Sequence, residues 1–147
     1  MAPAVWVFFY GSYINLDVLK EVDLVPGAWE VATLPGFDLT IAPRANIFRD
    51  PCKSVYGILA TATHAELGRL YGDHAKGVLG ETYLPEAVLA ADLSGRLRPA
   101  LCYIAHAMAP GPAEPAYVER IARPAERYGF PAWYVERIRR FAPKARG

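Results

Sequence analysis

Val5-Trp6-Val7-Phe8-Phe9-Tyr10-Gly11-Ser12-Tyr13-Ile14-Asn15-Leu16-Asp17-Val18-Leu19-Lys20 is the stretch on which the reading of this chain turns. It spells strand, tight turn and helix. Residues 5–9 form an unbroken apolar run rich in β-branched and aromatic side chains, which suits a short buried strand, and Gly11-Ser12 breaks it. Asn15 stands where its side-chain oxygen can cap a helix that ends near Val22. Amide N–H groups at such a junction lack backbone partners and lie at the positive end of the helix dipole, so they favour a carboxylate or phosphate. A functional site is expected here.

The rest of the chain gives this junction a core to sit on. A length of 147 residues predicts a single domain over 1–147, burying roughly two thirds of the surface its unfolded form exposes. With 53% hydrophobic and 12% aromatic residues, the composition excludes a disordered chain. Sixteen basic and fifteen acidic residues leave a net charge of +1, so no long-range field recruits nucleic acid or an anionic membrane. Cys52 and Cys102 are too few for a disulfide framework and too far apart for a zinc pattern, and read as reduced thiols of a cytoplasmic protein. No apolar stretch approaches the roughly 20 residues that span a bilayer, and no basic segment precedes the first apolar run, so neither membrane insertion nor secretion is expected. Oligomeric state is not legible.

Outward from the junction, Pro26-Gly27 and Pro35-Gly36 bracket a strand through Trp29, Val31 and Leu34. Phe37, Leu39 and Ile41 alternate with polar or small residues as a second strand, and Arg44 to Lys53 reads as a polar surface loop turning at Asp50-Pro51. Ser54 to Ala62 is nearly continuous in apolar residues, as a central strand is, with Gly57 admitting a close backbone. Thr63 and Glu66 have the spacing of a capping box, opening a helix with Leu67, Leu70 and Tyr71 on one face, ending near His74 or Ala75 in a glycine-bearing loop. A strand from Glu81 to Leu89 carries Pro85 and so belongs at an edge or bulge. Ser94-Gly95 turns it back into a partner strand from Arg98 to Ala105. Two amphipathic helices close the chain, one carrying Tyr117, Ile121, Ala125 and Tyr128, the other Trp133, Tyr134, Ile138 and Phe141, split by Gly129-Phe130-Pro131.

Several chemistries are excluded by pattern. There is no G-x-S-x-G, P-loop or H-E-x-x-H motif. His64, His74 and His106 are not at ligand spacing, so neither a metal nor a nucleotide cofactor is expected.

Phe9-Tyr10-Gly11-Ser12 followed by a capped helix resembles the Y-G-S-N loop of the γ-glutamylcyclotransferase-like family, also known through plant avirulence-induced proteins. The Val55 to Leu59 strand, the Leu67-x-x-Leu70 helix, the Tyr83 strand, the Ala100 to Tyr103 strand and the terminal helices occur in the family's order. The resemblance implies an α+β fold: a small mixed-strand β-barrel with flanking helices, a C-terminal helix pair and an internal cavity. It also implies a reaction, in which the α-amine of a γ-glutamyl compound attacks its own γ-carbonyl, forming 5-oxoproline and expelling an amine or amino acid. Cyclisation within one bound molecule gains from orientation, so such a protein holds the chain folded back and moves protons.

Carried over by position, Tyr10, Gly11 and Ser12 match the anchoring loop, and Tyr83 falls where the family has a site tyrosine. Tyr13 replaces the loop's asparagine with a ring that fills part of the cavity. Leu70-Tyr71-Gly72-Asp73-His74-Ala75 stands against the family's L-D-x-x-E-G, so His74 occupies the place of the acid/base glutamate. Three residues are candidates to replace it: His74, whose unperturbed pKa near 6.5 suits proton transfer; Asp73, from the next position; and Glu81, which shares a strand face with Tyr83 if both lie on an extended strand. Glu81 is preferred, and Glu86 has the wrong parity. Tyr10, Tyr83 and Tyr103 either line a polar pocket through their hydroxyls or serve as core rings with one wet end.

Three readings follow. One is a cofactor-independent γ-glutamyl cyclotransferase. The second is a non-catalytic protein on the same fold that holds a small carboxylate or anion. The third is association through exposed Trp133 and Tyr134 on the terminal helices.

Overall fold

A computed structural model describes residues 3–144. Its strands are β1 (Ala4–Phe9), β2 (Trp29–Ile41), β3 (Ala45–Thr63), β4 (Leu84–Asp92) and β5 (Leu97–Ile104). Its helices are α1 (Leu16–Lys20), α2 (His64–Leu67), α3 (Pro115–Arg127) and α4 (Ala132–Arg139), with a 3-10 turn at Ser12–Ile14 and a π-wound segment at Gly68–Leu79. The strands close as a barrel in the order β1-β3-β2-β4-β5. The ladders are antiparallel except the closing one between β1 and β5, where Val7 faces Leu101 and Phe8 faces Cys102. That parallel closure brings the C-terminal ends of β1 and β5 to one end of the barrel, which is where the Tyr10-Gly11-Ser12 junction emerges.

The continuous apolar runs read as buried strands are buried. Val7, Phe8 and Phe9 of β1 and Ile58, Leu59 and Ala60 of β3 are at most 1% exposed. Gly57 makes their approach possible: a Cβ there would lie 2.1 Å from the Phe9 carbonyl oxygen and 2.7 Å from Phe8 Cζ.

Two expectations change in the first half. The loop expected over Arg44–Lys53 is instead the opening of β3, in a hairpin where Ile41 faces Ala45, Leu39 faces Ile47 and Phe37 faces Arg49. Ala45 and Ile47 turn inward while Phe48 and Arg49 turn out, a pattern too short to stand out between Pro43 and Pro51. The two strands expected around Pro35-Gly36 are one, β2, bent at a register shift where Gly36 takes φ +85°. Opposite that bend Asp50 to Lys53 bulge from the ladder, and the Asp50 carboxylate accepts from the Cys52 N–H at 3.0 Å.

The capping box forms, with Glu66 N–H donating to Thr63 Oγ1 at 3.1 Å and Thr63 N–H to Glu66 Oε1 at 2.8 Å. After a single α turn, however, the winding passes into the π segment and runs on to Leu79, ending at Gly80 with φ +72°. The glycine-bearing stretch expected as a loop is therefore helical. The Glu81 N–H is spent on the Ala75 carbonyl at 3.2 Å, closing the helix end. β4 consequently starts at Leu84 rather than Glu81, and the same-face argument for Glu81 and Tyr83 loses its strand. The Ser94-Gly95 turn closes as expected, with the Gly95 N–H on the Asp92 carbonyl at 2.9 Å.

α3 and α4 cover the barrel. Tyr117, Ile121 and Ala125 of α3 and Tyr134, Val135 and Ile138 of α4 are buried. Trp133 is 60% exposed but Tyr134 only 1%, so the expected exposed aromatic pair is a single ring. Arg137 anchors α4 to β2 through two bonds to the Asp38 carboxylate, at 2.6 and 2.9 Å. No described helix is long and apolar enough to cross a membrane.

Candidate functional site

At the barrel end where β1 and β5 finish lies a cavity lined by Tyr10, Gly11, Ser12, Tyr13, Ala45, Tyr71, Leu79, Tyr83, Tyr103 and Tyr117. Its free volume is about 20 Å³, room for about one water molecule. All six residues that sequence reasoning assigned to substrate contact are brought together here.

Most of the phenol groups are tied to the frame. Tyr10 donates to the Tyr103 carbonyl and Tyr83 to the Ala45 carbonyl, each at 2.7 Å. Tyr117 accepts from the Ala45 N–H at 2.9 Å. The Tyr71 ring stacks on Tyr103 at 3.8 Å between centroids. Burial, above all, pushes the Tyr10, Tyr13, Tyr71, Tyr83 and Tyr117 phenols upward. Tyr13 and Tyr83 are raised further by neighbouring phenols, Tyr117 acting on both and Tyr13 on Tyr83, which places these groups within electrostatic reach of one another.

The junction is a 3-10 turn that leads into α1. Within its 3-10 turn the Ile14 N–H bonds the Gly11 carbonyl at 3.1 Å and the Asn15 N–H the Ser12 carbonyl at 3.3 Å, so the turn itself gives no acceptor to the N–H groups of Ser12 and Tyr13. Asn15 caps α1 by accepting from the Asp17 N–H at 3.0 Å. Gly11 is required for packing, since a Cβ there would lie 2.7 Å from Ala45 Cβ. A cation stands alongside: the Arg44 guanidinium lies 4.7 Å over the Tyr117 ring, and its Nε donates to the Leu79 carbonyl at 3.2 Å.

The three acid/base candidates fall in different places. Glu81 sits in the connector before β4, outside the cavity lining, though its charge reaches Tyr83 and raises that phenol. Asp73 is exposed in an outer groove with Glu21, Asp23 and Arg69. His74 reaches both sides: Nδ1 is 2.9 Å from the Tyr13 hydroxyl and Nε2 is 3.6 Å from Glu21 Oε2. Glu86 pairs with Arg49 across the hairpins. Among the described residues no carboxylate lines the cavity.

Sequence reasoning missed Tyr71, Tyr117, Ala45, Leu79 and Arg44. Tyr71 and Tyr117 were legible only as members of apolar helix faces. The one available signal was the choice of tyrosine where leucine would pack as well. Arg44 was hidden by the loop reading of its segment.

No protein-family profile matches the sequence, and no curated protein matches it. Solved structures do. One described as gamma-glutamyl cyclotransferase superposes with TM-score 0.79 at 22% identity, over 98% of this chain and 91% of its own. An uncharacterised protein from Homo sapiens gives 0.78 at 22% identity, over the same shares. A yeast protein described as a gamma-glutamyl cyclotransferase specific to glutathione gives 0.65 at 12% identity, over 94% of this chain and 95% of its own. At these identities the likeness is one of fold. This chain has the γ-glutamyl cyclotransferase-like fold.

Proposed function

We propose that the protein is a cofactor-independent cyclotransferase that converts a γ-glutamyl compound to 5-oxoproline and releases an amine or amino acid. The observation that carries this reading is the cavity that the Tyr10–Tyr13 junction forms at the barrel end. In the proposed complex the Ser12 and Tyr13 amides, with Arg44 nearby, take the substrate carboxylate, by charge and by N–H donors. The phenol walls hold the glutamyl chain folded, so that the α-amine meets the γ-carbonyl within one molecule. The cavity is smaller than a glutamyl group, so admission requires a wall to move. Tyr71, Tyr83 and Tyr103 separate the cavity from an outer groove. Tyr71 and Leu79 belong to the π-wound segment, and outward displacement of that segment would open the site and its return would exclude water. Cys52 and Cys102 are unpaired thiols, which supports placement in the reducing cytoplasm.

A second reading is favoured by one observation, the lack of a carboxylate in the described cavity lining. On that reading the protein binds a small carboxylate without turning it over. Incubation with γ-glutamyl dipeptides and γ-glutamylamines, followed by assay of 5-oxoproline and of the released amine, separates the two. Equal amounts of both products support the enzyme; saturable binding of 5-oxoproline without any product supports the binder.

A further inference from the structure

We propose that Tyr13 is the acid/base of this site, exchanging protons with the substrate nitrogens while His74, backed by Glu21, holds the proton in transit. The inference rests on the cyclisation reading above and names the residues that would carry its proton transfers.

The geometry is a chain of three groups running from the cavity to the surface. Tyr13 is a wall of the cavity and 6% exposed. Its hydroxyl oxygen lies 2.9 Å from His74 Nδ1, and a phenol oxygen so bonded keeps a lone pair for a second partner. Tyr13 lines the cavity with Tyr83 and Tyr117, and its hydroxyl is the atom that meets His74. Glu21 Oε2 lies 3.6 Å from His74 Nε2, too long for a hydrogen bond, so it contributes field rather than a bond. The charged groups in the groove on the outer side of His74 are Glu21, Asp23, Asp73 and Arg69. A proton arriving on the ring therefore faces carboxylates as well as one guanidinium.

Tyr13 brings its ring to the cavity wall, and His74 stands behind its hydroxyl. Because burial raises the Tyr13 phenol, Tyr13 does not rest as phenolate. It must pass its proton to Nδ1 as it accepts one from the substrate. The Tyr13–His74 bond survives in both states, with Tyr13 donating to neutral Nδ1 and the imidazolium Nδ1–H donating back to the phenol oxygen.

The proton count closes. Cyclisation forms a bond between the α-nitrogen and the γ-carbon and breaks the bond from that carbon to the departing nitrogen. The α-ammonium ends as a lactam N–H, losing two protons, and the departing amide N–H ends as an ammonium, gaining two. Tyr13 carries them singly, with His74 holding each between the two nitrogens, and no external acid, oxidant or metal enters the balance.

The test measures 5-oxoproline formation from a γ-glutamyl dipeptide by the full chain and by Tyr13→Phe, His74→Gln, His74→Ala and the Tyr13→Phe/His74→Gln double variant, with folding checked by circular dichroism. The expected result is a loss in kcat of about 100-fold or more in each single variant, with KM little changed. The double variant is expected to be no slower than either single one, as for groups acting as a unit. Added imidazole, entering from the outer groove, is expected to restore His74→Ala, a readout that a packing role would not move. If wild type turns over and either single variant keeps more than a tenth of its kcat, or imidazole restores nothing, the relay is overturned alone. If wild type binds 5-oxoproline but forms none, the cyclisation reading and the relay fall together.

Discussion

The Tyr117 hydroxyl of α3 accepts a hydrogen bond of 2.9 Å from the backbone N–H of Ala45, the first residue of β3. A helix that covers the barrel therefore also completes the wall of its cavity. The Ala45 carbonyl is taken by Tyr83, so Ala45 has both its polar backbone groups satisfied by tyrosines. Tyr117→Phe keeps the ring and removes the acceptor from a buried N–H, a loss of about 1–3 kcal/mol. Urea unfolding is expected to show a lower midpoint with an unchanged slope. An unchanged midpoint would mean that the Ala45 N–H has another acceptor.

Close packing of β1 on β3 depends on Gly57. Gly57→Ala places a methyl group 2.1 Å from the Phe9 carbonyl oxygen, which forces the central ladder apart at a cost of about 3 kcal/mol or more. Gly72→Ala is the control: no atom stands within 4 Å of the place its methyl group would take, and inside a helical segment the change is expected to be neutral or stabilising by up to about 1 kcal/mol. Thermal melts of both variants check the contrast.

Stability should also depend on pH through Asp38. Burial alone would raise its carboxyl, but the bonds from Arg137 and from the Leu39 N–H outweigh burial and hold it below its ordinary value. A depressed folded-state pKa contributes stability that is complete above the unfolded value of about 3.9 and is lost as pH falls through the folded one. Arg137 is 33% exposed at its side chain, and solvent screening puts the pair at the low end of about 1–3 kcal/mol. The stability difference between wild type and Asp38→Asn is therefore expected to be constant from about pH 5 to 8 and to shrink below about pH 4. A difference that grows on acidification would reverse the sign of this argument.

Arg44 is expected to act on the ligand's charge. Arg44→Met removes the guanidinium over Tyr117 and its bond to the Leu79 carbonyl. Affinity for 5-oxoproline should fall about tenfold, or about 1.4 kcal/mol, and the drop should narrow as salt rises. Calorimetric titration with 5-oxoproline and with its uncharged amide measures both effects. Equal losses for the two ligands would remove Arg44 from carboxylate recognition.

Local signals were legible and long-range ones were not. The Val5–Phe9 strand, the Asn15 cap, the Thr63–Glu66 box and the Ser94-Gly95 turn each depend on residues a few positions apart, and each is present. The opening of β3 was missed because its evidence is its partner, Phe37–Ile41, rather than its own composition. The π winding after Leu67 has no periodic signature, and it moved the start of β4 past Glu81. The same limit hid four of the ten residues that line the cavity. Tyr10 and Gly11 announce themselves at a strand–turn junction, whereas Tyr117 joins them from more than a hundred residues away. The Tyr13–His74 bond spans 61 positions, and only the fold joins the two residues into one feature.

The claim beneath both functional readings is that the Tyr10–Tyr13 junction is where a glutamyl-type carboxylate binds. Amide NMR of the full chain during titration with 5-oxoproline tests it directly. Saturable shifts at the Ser12 and Tyr13 amides, with the exposed Trp133 helix unmoved, are expected. No saturable change at residues 11–13, or changes confined to the outer face of α3 around Arg120 and Arg123, would contradict it.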